Sequence, residues 1–388
     1  MQGTMGGVRR KTIYFTAPRQ VELREEPLPA PGADEVLVET VCSAISAGTE
    51  MLVYHGEFPH FKDADDKFSS ELKYPCAFGY ACVGRVRETG NKVDKELRDK
   101  LVFAFQPHTS AFIAQPSSLI FAPASLAGTM SFPAETCAFL PSMETAVNLI
   151  QDAAPILGER VLVIGQGVVG LLVASLLKEF PLETLVTADC FELRRKASLE
   201  LGVNESFDPE VLSSEKSSSA LSNAGSNLNS STSATNKDSS GGSATSVLST
   251  THANPKLQPA YAQSKFDLTF ELSGSPSALN DAIALTAFSG RIVIGSWYGE
   301  KRAEIDLGGA FHRSRIKMIA SQVSTIAPEL RGRWDKARRF GVAWQALRRI
   351  QPQKWITHRF PIEEAAQAYK LLDEKPQETI QVVFETKA

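Results

Sequence analysis

The sequence predicts an α/β protein in which an irregular, mostly-β region leads into a doubly wound parallel sheet, and three observations point there. Residues 12–121 read as short half-buried strands, such as the run from Glu35 to Val41, divided by Pro and Gly turns. After Ser142 the texture changes to buried apolar strands of five or six residues alternating with helix-period segments, which implies parallel βαβ units. At the first such junction stands Gly165-Gln166-Gly167-Val168-Val169-Gly170, a strand running into G-x-G-x-x-G and then a helix.

In chain order the alternation predicts strands at 160–164, 184–188, 266–271 and 291–295. Helices are expected at 168–179, 191–201 and 278–287. One stretch breaks the rhythm. Residues 212–251 are dominated by Ser, Asn, Thr, Gly and Ala, too few large apolar groups to offset the entropy of ordering. They are expected to form a disordered surface loop between two strands, with a phosphorylatable regulatory loop as the functional alternative. The basic, aromatic run 331–349 reads as an amphipathic surface helix with Trp334 and Trp344 inward and its charges solvated.

With 43% hydrophobic and 22% charged residues, the 388-residue chain can bury a core of two or three domains. A net charge of −3 offers no broad positive field, which argues against nucleic acid or an anionic membrane as partner. No apolar run reaches the roughly 18 residues needed to span a bilayer, and the start lacks the apolar segment of a secretory signal. Five scattered cysteines without a C-x-x-C pair outline neither a disulfide framework nor a zinc lobe, so a reducing, cytoplasmic setting is expected.

The glycine fingerprint carries the chemistry. Gly165 permits a tight turn, Gly167 a close backbone approach to a diphosphate, and Gly170 close packing of helix on strand. The amides of Val168, Val169 and Gly170 open the helix, where free N–H groups and the macrodipole favour negative charge. Asp189 ends the next strand, the expected place for a carboxylate accepting from a ribose 2′-hydroxyl. NAD(H) is therefore favoured over NADP(H), with Arg194 and Arg195 close enough to weaken that preference. An ordinary turn or cap role remains the alternative for Asp189.

On these residues the chain resembles the medium-chain dehydrogenase/reductase family, zinc-type alcohol dehydrogenases included. Leu37 through Gly48-Thr49-Glu50 and Tyr54-His55-Gly56 is similar to the family's first active-site segment. Phe78-Gly79-Tyr80-Ala81-Cys82-Val83-Gly84 is similar to its second, and residues 355–384 to its closing strand, helix and strand. The resemblance implies a GroES-like mostly-β catalytic domain with a Rossmann domain inserted in it. The division expected is 1–142 catalytic, 143–322 nucleotide-binding and 323–388 a return to the catalytic domain. It also implies a nicotinamide-dependent dehydrogenase acting on a small molecule, and a possible homodimer formed through the Rossmann sheet edge at 291–295.

Zinc ligands of the family are missing: Ala47 stands where a Cys is expected, Gly79-Tyr80-Ala81 where Gly-His-Glu is expected. Cys137 lies near a third ligand position, but catalytic zinc needs three protein ligands, so no zinc is expected. The runs 43–50, 143–148, 296–299 and 307–312 most resemble a zinc-less, bacteriochlorophyllide hydroxyethyl dehydrogenase-like branch. Without a metal, another group must take the hydroxyl proton of an alcohol. The candidates are Thr49 as a relay hydroxyl, Glu50 as a carboxylate, Tyr80 in the place of a ligand, and His108 as a general acid–base group. His312, with Arg313, follows the sheet in a stretch that could face the nicotinamide. Each has a structural alternative: a ring filling the vacated pocket for Tyr80, an ion pair for Glu50, a buried hydrogen-bonded ring for His108, a domain-interface contact for His312. Competing functions are an enone or quinone C=C reductase and a catalytically silent dinucleotide-binding protein.

Overall fold

The computed structural model describes residues 9–58, 73–123, 132–211 and 265–386. The polar stretch 212–251 lies outside the described residues. Among the described residues no helix is long and apolar enough to cross a membrane.

The first part of the chain is the mostly-β region expected. Strands β1 (Arg9–Ala17) and β2 (Gln20–Pro27) form a hairpin, extended by β4 (Cys76–Ala77). A second sheet runs through β3 (Val36–Ala44), β5 (Cys82–Thr89), β6 (Leu101–Ala104) and β8 (Ile120–Phe121), with β7 (Ala111–Ala114) also on β3. The chain's last strands, β15 (Ile356–Pro361) and β16 (Gln381–Glu385), return to this sheet, β16 antiparallel to β3. A short helix, α1 (Thr49–His55), crosses between β3 and β4 and ends on Gly56 in the left-handed conformation.

The second part is a six-stranded, wholly parallel sheet. Its strands are β9 (Arg160–Ile164), β10 (Thr184–Ala188), β11 (Glu205–Phe207), β12 (Phe266–Glu271), β13 (Thr286–Ile294) and β14 (Lys317–Ala320). Their order is β11-β10-β9-β12-β13-β14, every pair parallel. From β9 the order runs outward in both directions, so the crevice at its carboxyl end is the topological switch point where doubly wound sheets take ligands. Helix α2 (Ala134–Cys137) lies against β3 and β5; α3 (Leu140–Ala153), α4 (Val168–Leu177), α5 (Glu192–Glu200) and α6 (Ala278–Leu285) flank the parallel sheet, α7 (Lys336–Ile350) packs on α3, and α8 (Ala365–Glu374) covers the first part. The fold class is thus a GroES-like mostly-β part joined to a Rossmann sheet.

Strand β9 is buried on both faces, as parallel strands between helices must be: Val161, Leu162 and Val163 have no exposed surface. Each such burial stabilises by about 1.5–3 kcal/mol, which the strand's short length makes its main support.

Two expectations change. The strand at 291–295 is not an edge. It begins at Thr286, and β12 and β14 bond it from both sides, so β11 and β14 are the edges of the sheet. Within α7 the charges are not all solvated: the Arg339 side chain is fully buried. Its guanidinium donates to Glu144, to Asn148 Oδ1 at 2.6 Å and to the carbonyls of Val323 and Thr325, tying α7 and the segment after β14 to α3. Four acceptors around one planar fork make this burial tolerable. Trp344 is buried as expected, whereas Trp334 precedes the helix, half-buried under the Arg338 guanidinium.

Candidate functional site

The glycine turn at the end of β9 is shaped by close backbone contacts on one side and open space on the other. Gly165 has φ +91°, and a Cβ there would stand 2.5 Å from the Leu272 carbonyl carbon at the end of β12. A Cβ on Gly170 would meet the Gly165 carbonyl oxygen at 1.9 Å. Both positions therefore demand glycine for the fold itself. Gly167 differs: its φ is −67°, and a Cβ there would meet nothing within 4 Å. The one glycine of the three that local packing does not require faces free volume.

Helix α4 starts immediately afterwards, and its first ladder bond is Leu171 N to Gly167 O at 2.9 Å. The amides of Val168, Val169 and Gly170 therefore precede the ladder, as at any helix N-terminus. Gln166 is fully buried, its side-chain amide donating to the Val163 and Gly165 carbonyls, while its Oε1 has no protein partner.

Asp189 ends the neighbouring strand and is nearly buried. Its Oδ2 accepts from Gln166 N at 2.7 Å and its Oδ1 from Phe191 N at 2.8 Å. The carboxylate thus clamps the glycine turn to the start of α5, the turn role that was the alternative reading. Each oxygen retains a second lone pair for a hydroxyl donor. Arg194 stands 4.0 Å from Asp189, stacks over Phe191, and donates to the Pro376 and Thr379 carbonyls, joining α5 to the returning chain.

The acid–base candidates divide into two groups. Glu50 and His108 are buried together with no exposed surface: His108 Nε2 lies 2.8 Å from Glu50 Oε2, and His108 Nδ1 lies 2.7 Å from Ser43 Oγ. A carboxylate only accepts, so Nε2 carries the proton and donates. Glu50 also accepts from Tyr369 OH at 2.7 Å and, through Oε1, from Ser46 N at 2.8 Å. That last bond folds the Glu50 side chain back on the start of α1, in the manner of a capping box. The local pattern Ser46-Ala47-Gly48-Thr49-Glu50 therefore turns the carboxylate inward. Burial, with the Glu50 charge added, pushes the Tyr369 phenol far above the usual tyrosine range. Phe15, Tyr54 and Phe384 surround its ring.

Tyr80 is only half-buried and lies at the side of this knot. Its hydroxyl donates to Ser46 Oγ at 2.5 Å. Burial raises the phenol's pKa, the Glu50 charge adds to this, and hydrogen bonds with Ser46 and Thr49 oppose it. Thr49, half-buried at the first position of α1, thus joins Tyr80 at the surface of the cluster. Ala47 and Gly48, between Ser46 and Thr49, are exposed.

His312 belongs to neither group. It is exposed, five residues before β14 begins, and the nearby Ser314 carbonyl bonds Ser289, early in β13. In a parallel sheet this is the amino edge, opposite the edge where Gly165 turns. The expectation that His312 and Arg313 face the nicotinamide end is corrected on that topology.

The two parts of the molecule meet beside the switch point. Trp297 packs edge-to-face on Phe58 at 4.9 Å, and Gly299 lies against the Glu57 carbonyl and Leu52. Tyr298 OH donates to Glu271 Oε2 at 2.5 Å, the buried carboxylate at the end of β12. Burial, then the Glu271 charge, raises that phenol beyond its normal range. Sequence reasoning missed Ser43, Ser46, Tyr369, Glu271 and Tyr298. Ser43, Ser46 and Tyr298 lie in runs noted for resemblance without a role being assigned, and Tyr369 left a physical signal, since Ala365, Ala368, Tyr369 and Leu372 form the buried stripe of α8, where a phenol needs a partner.

Among the described residues no group of three or more His, Cys, Asp and Glu side chains could hold a metal ion. Cys137 is fully buried in the apolar core, and burial pushes its thiol up to about 12. The donor set near Tyr80, a phenol and two hydroxyls beside an alanine, does not suit zinc.

No family model matches the chain. It is 22% identical over 92% of its length to 94% of an uncharacterized zinc-type alcohol dehydrogenase-like protein, YphC, of Escherichia coli K12. It is 29% identical to the 2-desacetyl-2-hydroxyethyl bacteriochlorophyllide A dehydrogenase of Cereibacter sphaeroides, over 30% of each chain. Among solved structures, the rspB short chain alcohol dehydrogenase of E. coli CFT073, complexed with NADH, superposes with a TM-score of 0.67 at 16% identity, covering 98% of this chain and 100% of that one. The last likeness shows the shared fold.

Proposed function

We propose that the protein is a nicotinamide-dinucleotide-dependent oxidoreductase that interconverts a secondary alcohol and a ketone without a metal. The observation that carries this reading is the glycine turn at the switch point, closed by necessity at Gly165 and Gly170 and open at Gly167. The dehydrogenase names of the relatives and the NADH held by a structure of the same fold support it. The bound nicotinamide would supply the hydride acceptor or donor.

The chain's own groups have distinct tasks. The amides of Val168, Val169 and Gly170 receive the diphosphate, and Asp189 accepts from the ribose hydroxyls while holding the turn. Tyr80 keeps its proton through neutral pH and gives it to the substrate oxygen, with Ser46 and Thr49 orienting the phenol. Glu50, His108 and Ser43 are too deeply buried to touch a substrate; they fix α1, and through it Thr49. The division into 1–142, 143–322 and 323–388, with α7 packed on α3 of the nucleotide-binding part rather than returning to the catalytic part, and a cytoplasmic location complete the reading, the latter supported by five free thiols.

Fluorescence titration with NADH, followed by a screen of alcohols, ketones and enones at the nicotinamide absorbance, tests it. Saturable NADH binding with turnover of an alcohol–ketone pair is expected, and no affinity for any nicotinamide nucleotide overturns it. Turnover of enones alone would shift the reaction to C=C reduction, for which a protonated Tyr80 is equally suited.

A further inference from the structure

The nucleotide reading leaves open what sets the choice between a free ribose 2′-hydroxyl and a 2′-phosphate, and the inference below rests on that reading. Asp189 stands at the ribose end, and two arginines follow it within six residues. A guanidinium presented there would welcome a phosphate, since its planar fork matches phosphate oxygens. Both are engaged within the protein. Arg194 donates through Nε and Nη2 to the Thr379 and Pro376 carbonyls, and its Nη1 lies 4.0 Å from Asp189 Oδ2. Arg195 folds back under its own turn, with Nη1 donating to the Asp189 carbonyl at 2.7 Å, the Cys190 carbonyl at 2.9 Å and Asp208 Oδ2 at 2.9 Å.

Of these three acceptors the carboxylate is the one supplied from elsewhere in the sequence. Strands β10 and β11 run parallel with Ala188 opposite Phe207, and Asp189 N donates to the Phe207 carbonyl. Asp208 therefore stands beside Asp189 on the adjoining strand end. Its other oxygen accepts from Glu210 N at 3.0 Å, which fixes the carboxylate's direction. The thiol of Cys190, next to Asp189, is raised above its usual range first by partial burial, then by the Asp189, Asp208 and Glu210 charges, with Arg195 opposing.

We propose that Asp208 is a cofactor-specificity residue: it pairs with Arg195 and holds it against backbone carbonyls beside Asp189, so that a dinucleotide bearing a 2′-phosphate is rejected. The 2′-phosphate would meet the Asp189 carboxylate and two guanidinium groups already engaged by Asp189, Asp208 and backbone carbonyls, whereas a 2′-hydroxyl donates to Asp189 unhindered. Removing the Asp208 carboxylate frees Arg195 to swing outward over Cys190.

Titration of the full chain with NADH and with NADPH, followed by nucleotide fluorescence, reads the effect directly. Asp208→Ala is expected to tighten NADPH about tenfold, equivalent to about 1.4 kcal/mol, while NADH stays within about twofold. Adding Arg195→Ala to that variant should abolish the gain. Asp208→Asn, which keeps the Glu210 turn bond and loses the charge, should shift in the same direction and decides the matter if the alanine variant fails to fold. As a second readout, NADPH should protect Cys190 from iodoacetamide in Asp208→Ala and not in the parent, measured by peptide mass. An unchanged NADH-to-NADPH ratio in the folded variants, or a gain that survives loss of Arg195, overturns the proposal while leaving the nucleotide site standing. A parent chain that binds neither nucleotide overturns both.

Discussion

The glycine turn after β9 and the Glu50–His108 knot under α1 are built on opposite plans. The turn is backbone: a left-handed glycine, a missing Cβ and three amides, all within six consecutive residues, held from outside by the Ala188 carbonyl and the Asp189 carboxylate. The knot is side chain, assembled from Ser43, Ser46, Glu50, His108 and Tyr369, the farthest pair 326 positions apart in the chain. The turn leaves open volume for a ligand; the knot closes on itself and leaves none. Groups with obvious acid–base chemistry can therefore be structural, while a position with no side chain at all, Gly167, leaves room for a ligand.

Mutations can separate the two plans. The largest expected effects are structural. Glu50→Ala leaves the His108 ring and the Tyr369 hydroxyl buried without their acceptor and should cost about 3–5 kcal/mol, seen as a lowered Tm and denaturation midpoint. If His108 were catalytic with Glu50 as a dispensable aid, activity would fall while stability held. Gly165→Val, strained at φ +91° and driven into the Leu272 backbone, should destabilise on the order of 4 kcal/mol. Gly167→Val, by contrast, should leave Tm nearly unchanged and weaken NADH binding at least about 100-fold, roughly 2.7 kcal/mol. Equal loss of stability at both glycines would erase the distinction between packing and binding glycines.

Tyr80→Phe removes a proton donor and little volume. Activity should fall about 100-fold or more with NADH affinity retained. Because burial and the Glu50 charge raise this phenol, it keeps its proton as pH rises past the ordinary tyrosine value of about 10. Carbonyl reduction should therefore show no loss attributable to Tyr80 between neutral pH and that value, and a decline centred near 7 would assign the proton to another group. The smallest effect belongs to His312→Ala, exposed at the amino edge of the sheet: kcat unchanged and stability within about 0.5 kcal/mol. A large loss of kcat there would overturn the topological argument.

Local patterns were legible because their causes are local. The strands at 160–164, 184–188 and 266–271 have the bounds their apolar runs predict, and α4 and α5 begin within a residue of expectation. The strand at 291–295 was seen, but not its start at Thr286 nor its interior place in the sheet, since neighbours are set by long crossovers rather than by the strand's own residues. Arg339 shows the same limit. Helical periodicity assigned it to a charged face, and only the packing of α7 on α3 brought Glu144 and Asn148 to bury it.

By itself, then, the sequence determined the order of elements, the glycine turn with an aspartate ending the next strand, and the residue types Ala47 and Tyr80 in the two segments that meet at the cluster. Tertiary structure alone decided which candidates meet. It sealed His108 against Glu50, left Tyr80 at the surface of the cluster, carried His312 to the far edge and set Asp208 beside Asp189. A backbone turn is dictated by sterics between neighbouring residues, whereas a side-chain network depends on which distant strands and helices the core brings within hydrogen-bonding distance.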